Sequence, residues 1–386
     1  MKSLFVTFFY ILLFLVAYTY LIYPVIIKII SMFYPTQEYK KQTLSVSILI
    51  SAHNEETVIE DRIKNLAEQN LNFTQVEVLI GSDGSTDRTN ELLLKMMNKY
   101  NWIKVFISED RRGKTYVLND LVDKANNDIL VFTDANTIFE PDSVQKLIEG
   151  FIDNSIGGIS GRLILEDQAE SAGKGIKERS YWEYETFIKK SEGRCGILIG
   201  ANGGIYAIRR KLFKPISVDK AVTDDFFITL TVLSQNLKFN YAANATAKET
   251  VGPDLKSEFR RKIRIASTNF QTLSLFTRLL FSNNLLLSFA FFSHKVVRWF
   301  APLFLIFLIP LNIILLDNSY IFKMIFIIQI IFYSLALSGL FLHLLDLKQK
   351  FLSLFSYFLL TNLALLLGFV KYLQGKHSAI WESTPR

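Results

Sequence analysis

The chain is predicted to be an α/β protein: a parallel sheet with helices on both faces, held between apolar segments at its two ends. Three observations predict this. Between Ser45 and Phe132 short β-branched runs alternate with amphipathic helical stretches, the pattern of a parallel sheet. The stretch from Leu4 to Ile30 carries a single charge, Lys28. Apolar runs over 300–316, 320–342 and 352–372 are each about as long as a membrane span needs to be.

The elements follow in order. Ser45 to Ser51 is β-rich and bounded by polar residues, so it reads as a buried strand. Ala52-His53-Asn54-Glu55-Glu56 follows as a loop. A helix is expected over Thr57–Gln69, with Val58, Ile59, Ile63 and Leu66 at helical spacing. Val76–Ile80 is a second strand, and Gly81 to Asp87 its terminal loop. Asn90–Tyr100 is a helix, with Leu92, Leu93, Met96 and Met97 inward. Ile103–Ile107 is a strand, Lys114–Ala125 a helix and Ile129–Phe132 a fourth strand. Ligands of such sheets bind beyond the carboxyl ends of the strands. Asn54, Asp83 and Asp134 fall at those ends, so distant segments converge by topology alone. No Gly-x-Gly-x-x-Gly follows the first strand and there is no Walker A loop, which disfavours dinucleotide and P-loop chemistry.

In Phe132-Thr133-Asp134-Ala135-Asn136-Thr137 a buried run emerges into Asp-x-Asn, placing two oxygen donors at one sheet edge. Hard oxygen ligands suit Mg²⁺ or Mn²⁺, and such an ion usually holds a substrate diphosphate. An Asp at a strand end is more often a cap or turn residue. The pattern gains weight from Asp83-Gly84-Ser85-Thr86-Asp87 and Thr223-Asp224-Asp225 on either side of it.

The N-terminal segment is too long for a cleaved signal peptide and lacks a small-x-small site before Tyr34-Pro35. Residues 1–35 therefore read as a retained anchor. A domain over 36–270, an amphipathic interface segment over 271–298, about three spans over 299–373 and a polar tail over 374–386 complete the plan. The single Cys195 excludes an internal disulfide. A net charge of +7 invites a nucleic-acid reading, but the basic residues gather near the spans: Lys40-Lys41, Arg260-Arg261-Lys262, Arg264, and Lys371 to Lys376. The lipid bilayer, not nucleic acid, is the expected partner, with the domain on the cytosolic side of the inner cell membrane and several spans crossing it.

Ser51-Ala52-His53-Asn54-Glu55-Glu56, the Asp83–Asp87 loop, Gly113-Lys114, Thr133-Asp134-Ala135-Asn136, Gly203-Gly204-Ile205-Tyr206-Ala207-Ile208-Arg209 and Thr223-Asp224-Asp225 occur in this order. Together they resemble the membrane-bound family 2 glycosyltransferases, the group of cellulose, chitin, hyaluronan and poly-N-acetylglucosamine synthases. The resemblance runs from Ser45 to Asn269 by motif, and to the C-terminal spans and the tail Trp381–Arg386 by layout. It implies a GT-A-type, Rossmann-like mixed sheet flanked by helices. It also implies inverting hexosyl transfer from a UDP-sugar, UDP-GlcNAc or UDP-glucose, to a glycan acceptor in cell-surface polysaccharide synthesis. A lipid carrier or glycolipid is the runner-up acceptor. A transporter with a nucleotide-binding domain fits worse, because the C-terminal runs bear almost no internal charge.

The resemblance also implies roles. Ala52, Asn54, Glu55 and Asp83 fall at the uridine, where a carboxylate accepts hydrogen bonds from the uracil N–H or ribose hydroxyls. Asp87 reads as a helix cap, and His53 as either a base contact or an ordinary loop residue. Asp134 is the first acid of the metal motif; Asn136 stands where the second would be and ligates without charge. Lys114 lies beside the donor, or is a solvated lysine at a helix start. Asp225, with Asp224 in the Glu place of a Glu-Asp pair, takes the acceptor hydroxyl proton; adjacent acids repel, which raises one pKa. A helix N-cap pair is the alternative. Gly203, Gly204 and Tyr206 fall at the acceptor, or form a strand bend with a packed tyrosine. Arg261-Lys262-Ile263-Arg264-Ile265 occupies the place of Gln-x-x-Arg-Trp. Arg264, with Arg261, would hold the donor diphosphate. Ile265 replaces the stacking tryptophan, so single or short transfer is expected rather than processive synthesis. The same stretch also reads as a basic amphipathic helix on the membrane.

Overall fold

The computed structural model describes residues 2–36, 38–41, 44–71, 75–166, 176–250, 255–345, 347 and 350–375. The expected tail from residue 376 onward, with the Trp381–Arg386 resemblance, lies outside them. In chain order the elements are α1 (Lys2–Met32), β1 (Val46–Ala52), α2 (Ile59–Ala67), β2 (Val76–Asp83), α3 (Thr89–Lys99), β3 (Ile103–Ser108), α4 (Lys114–Lys124), β4 (Ile129–Asp134), β5 (Ile138–Phe139), α5 (Ser143–Glu149) and β6 (Ile156–Glu166). There follow α6 (Ile176–Arg194), β7 (Tyr206–Arg209), α7 (Asp224–Ser234), β8 (Lys238–Thr250) and α8 (Leu255–Leu275), then α9 (Leu285–Leu315), α10 (Tyr320–His343) and α11 (Phe351–Leu373).

The strands form one mixed sheet in the order β3-β2-β1-β4-β7-β6-β8-β5. β1 to β4 are parallel, and β7 runs antiparallel between β4 and β6. The register decides where the chemistry lies. Ser51 of β1 pairs with Gly81 of β2 and with Asp134 of β4, so three strand ends stand abreast. These strands are near-continuous apolar runs because both sheet faces are covered. Ile48, Ile50, Val78, Ile80 and Val131 bury one face. Leu49, Leu79, Leu130 and Phe132 bury the other, sharing a core with Tyr23 and Ile27 of α1 and with Ala290, Phe291 and Trp299 of α9.

The inner ends of the apolar helices thus complete the core of the α/β domain. Among the described residues four helices are long and apolar enough to cross a membrane: α1, α9, α10 and α11. The expected boundary between an interface segment and a first span at 298/299 falls inside α9. That helix starts at Leu285, where Asn284 Oδ1 accepts the Leu287 N–H at 3.1 Å, and stays apolar to Leu315. Asn284 thus caps the start of this apolar helix.

Buried polar contacts clamp α1, α6 and α9 together. Glu192 of α6 accepts from Tyr23 at 2.7 Å and lies 2.6 Å from His294 Nδ1, while Arg298 reaches Glu185 at 2.5 Å. Breaking such buried pairs one-sidedly is costly. Against burial, which by itself would raise it, Arg298 and His294 hold the Glu185 carboxyl well below its usual range.

α8 crosses α11 at Gly368, where a Cβ would overlap the Cβ of Ala266 and stand 2.9 Å from the Ile263 carbonyl oxygen. Gly368→Val is expected to cost about 1–3 kcal/mol of stability by overpacking. Thermal unfolding in detergent checks it, and an unchanged melting temperature would mean the helices are free to part.

Candidate active site

The site grows from Lys114, the first residue of α4. Gly113 precedes it at φ +100°, a conformation that suits glycine, and so turns the chain from the β3 loop into the helix. Lys114 Nζ lies 2.8 Å from Asp134 Oδ1 and 3.0 Å from Asp224 Oδ2. One ammonium thus joins the end of β4 to the start of α7. Although burial opposes the charge, Asp134 and Asp224 hold Lys114 protonated well above the usual lysine range. It is not a solvated lysine; its side chain is 20% exposed and doubly paired.

Asp225 follows Asp224 in the first turn of α7, and its Oδ1 accepts the Phe226 N–H at 2.7 Å. Its Oδ2 stands 3.3 Å, and Asp134 Oδ2 3.9 Å, from where a Cβ on Gly203 would be. The absent side chain of Gly203 therefore leaves a small oxygen-lined space between the two acids. Burial and then repulsion from Asp224 push the Asp225 carboxyl up to about 6, with Lys189 and Lys114 pulling the other way. That value suits a general base near neutral pH. Thr223 anchors the turn to α8: its N–H reaches Thr272 Oγ1 at 3.1 Å, and its hydroxyl is 2.7 Å from that of Thr268.

The loops beyond β1 and β2 interlock. Asp83 is 3% exposed, and its two carboxylate oxygens accept the Arg112 and Gly113 N–H groups at 2.7 and 2.8 Å. Asn54, at φ 55°, uses its side-chain oxygen to accept the Thr86 N–H at 2.8 Å. His53 Nδ1 lies 2.6 Å from the Asp83 carbonyl, and the Glu55 N–H reaches Thr89 Oγ1. Ala52 and Glu55 are buried beside them. Asp87 accepts the Thr89 N–H at the start of α3, as expected of a cap.

Other residues fall differently. Tyr206 has no exposed surface to offer an acceptor: it is fully buried, its ring stacked on Phe132 at 4.9 Å. Alternation along β7 turns it into the core, below the acids. Gly204 packs closely on Thr137, and its carbonyl accepts from Thr133 at 2.8 Å. Arg261 is held by Glu258 of its own helix in a two-pronged pair, at 2.7 and 2.9 Å. Arg264 lies one turn further along α8.

Sequence reasoning missed Arg62, a fully buried strut beneath the site. It donates to Thr133 Oγ1 at 2.9 Å and Asn65 Oδ1 at 2.8 Å, with its guanidinium 4.1 Å above the Phe139 ring. The signal was present: Ile59, Arg62, Ile63 and Leu66 share the buried face of α2. Lys189 was missed as well. It is buried, donates to Asn202 Oδ1 at 2.5 Å, and is lowered to about 8 by burial and by Lys295.

Among the described residues no group of three or more His, Cys, Asp or Glu side chains is gathered to hold a metal. Asp134 Oδ2 nonetheless borders the space Gly203 leaves, and with the amide oxygen of Asn136 two residues on it makes a donor type that suits a small hard cation.

Residues 47–216 match the family model described as glycosyl transferase family 2. This domain is a family 2 glycosyltransferase domain. The chain is 25% identical over 231 residues to the poly-β-1,6-N-acetyl-D-glucosamine synthase of Staphylococcus aureus, covering 59% of this chain and 55% of that one. It is 25% identical over 239 residues to a probable glycosyltransferase of Bacillus subtilis, covering 60% of this chain and 57% of that one. The aligned region is thus little more than half the length of these relatives. In fold, it resembles a mannosyltransferase from Pyrobaculum calidifontis solved with GDP-Man and Mn²⁺, with a TM-score of 0.73, 17% identity, and 96% of this chain and 99% of that one covered. The glycosyltransferase domain has the GT-A-like mixed sheet.

A base must be ionised to accept a proton, so a base raised to about 6 loses its working form as pH falls through that value. Sugar transfer should plateau above about pH 7 and drop roughly tenfold by about pH 5. A flat pH–rate profile between 5 and 8 would remove Asp225 from that role.

Proposed function

We propose that the protein is an inverting glycosyltransferase that moves a sugar from a UDP-sugar, UDP-GlcNAc or UDP-glucose, to a glycan acceptor in cell-surface polysaccharide synthesis. The observation that carries this reading is the junction of Asp134, Asp224 and Asp225 around Lys114 at the carboxyl edge of the parallel strands. The similarity to the poly-β-1,6-N-acetyl-D-glucosamine synthase of Staphylococcus aureus supports N-acetylglucosamine as the sugar.

Asp83, with Ala52, Asn54 and Glu55, receives the nucleoside, and Asp83 accepts the N–H of the base. Lys114 and Arg264 face the donor diphosphate, whereas Arg261 is engaged by Glu258 of its own helix. Asp134 and Asn136 hold a divalent cation, Mg²⁺ or Mn²⁺, which when bound would neutralise charge on the departing diphosphate. Asp225 takes the proton from the attacking hydroxyl, so that its oxygen reaches the anomeric carbon from the face opposite the leaving group. Asp224 keeps Lys114 in place and raises the basicity of its neighbour. Gly203 leaves room for the acceptor close to Asp225. Ile265 gives that acceptor no aromatic face, which favours release after one or a few additions. The domain faces the cytosol at the inner membrane, as the basic residues near the apolar helices favour.

Transfer to a lipid carrier or glycolipid is a second reading, favoured by Lys295. This cation of α9 stands 3.7 Å from where a Cβ on Gly200 would be, beside the loop that leads to Gly203. A membrane helix thus brings positive charge to the acceptor side.

Asp225→Asn keeps size and removes the proton acceptor; kcat should fall roughly 10²-fold or more while UDP binding, followed by calorimetry, is retained. Loss through Asp224→Asn with an active Asp225→Asn would move the base by one residue. EDTA should abolish transfer and Asp134→Ala should be inactive though folded; full turnover in EDTA would refute the cation role. A panel of UDP- and GDP-sugars, with products sized by mass spectrometry, tests the whole reading. Single or short adducts from a UDP-sugar are expected, and a long polymer made by the purified chain would overturn the non-processive reading.

A further inference from the structure

Asp134-x-Asn136 brings a single formal charge to the place where two acids would give two. For hard cations the ligand charge count sets affinity, so one carboxylate and one amide make a poor cation site by themselves. A second carboxylate stands beside the amide. Asn136 Nδ2 donates to Glu249 Oε1 at 3.0 Å, across 113 positions of sequence.

The sheet fixes this neighbour. Glu249 is the penultimate residue of β8, opposite Leu165 of β6. The loop that follows Asp134 runs directly into β5, whose Ile138 pairs with Lys248. The register that ends the sheet at β5 therefore holds the Glu249 side chain against the Asp134–Thr137 loop. By taking the amide nitrogen, Glu249 also fixes which end of Asn136 is left to ligate. Its Oδ1 accepts no hydrogen bond among the described residues.

We propose that Glu249 is the second acid of the divalent-cation site, a positioning residue that acts through Asn136. It supplies the negative charge that Asn136 lacks and orients the amide oxygen toward the cation. Outer-shell carboxylates of this kind orient metal ligands and raise their basicity. The inference rests on the cation role proposed for Asp134.

Glu249→Gln keeps an acceptor oxygen for Asn136 and removes only the charge. The test is Mn²⁺ binding to the purified full chain in detergent with UDP present, read from free Mn²⁺ by electron paramagnetic resonance. Glu249→Gln should weaken binding roughly 10–100-fold. Adding Asn136→Asp to that variant should return binding to near the parent value, because it restores the charge at the ligand itself. Wild-type binding by Glu249→Gln, with binding lost in Asp134→Asn, would overturn the role of Glu249 alone. Weakened binding that Asn136→Asp does not restore would also overturn it, since the defect would then not be the missing charge. Wild-type binding by Asp134→Asn would instead refute the cation role itself.

Discussion

The rest of the site depends on the bridge that Lys114 makes between Asp134 and Asp224. Without it, two carboxylates from separate elements would face each other across a partly buried gap, and Coulomb repulsion would drive the ends of β4 and α7 apart. With it, β4, α4 and α7 converge on one point, and Asp225 stands beside Asp134 across Gly203. The bridge also accounts for the division of labour between the adjacent acids. Asp224 has a direct cationic partner. Asp225 accepts the Phe226 N–H, and burial, followed by repulsion from Asp224, pushes its carboxyl up to about 6.

A second constraint ties this chemistry to the apolar helices. α6 carries Glu185 and Glu192, which meet Arg298, His294 and Tyr23 from α9 and α1. The same helix carries Lys189, which holds Asn202 in the loop leading to Gly203. The apolar helices and the loop beside Asp225 are thus braced on one element. Polar groups this deep are tolerated because they satisfy one another. The hydrophobic core obeys the same logic, since Trp299 and Phe291 of α9 complete a sheet face that would otherwise be exposed.

Much of the parallel half was legible in the sequence. β1 to β4 and the helices between them lie within a few residues of where the apolar periodicity puts them, because each is a local pattern buried on a regular lattice. The strand-end acids Asp83 and Asp134 were legible for the same reason. The mixed half, in which β7 runs against its neighbours, was not. β6, β7 and β8 have short, glycine-interrupted or polar patterns, and β8 is bent by irregular register against β6. Their pairing is decided by neighbours far away in sequence. Tyr206 illustrates this: the sequence left an acceptor contact and a packed tyrosine both open, and alternation along β7 sends its ring to Phe132.

By itself, the sequence determined which segments are apolar enough for the bilayer, which alternate as strand and helix, and which acids end strands. Those properties reside in local composition and period. Only the tertiary structure decided which charges meet. Lys114 between two acids, Arg62 beneath Thr133, Arg261 spent on Glu258, and Glu249 beside Asn136 all depend on strand register and helix packing. A charged side chain acts over a few ångströms, and no local pattern specifies which distant partner comes within that range.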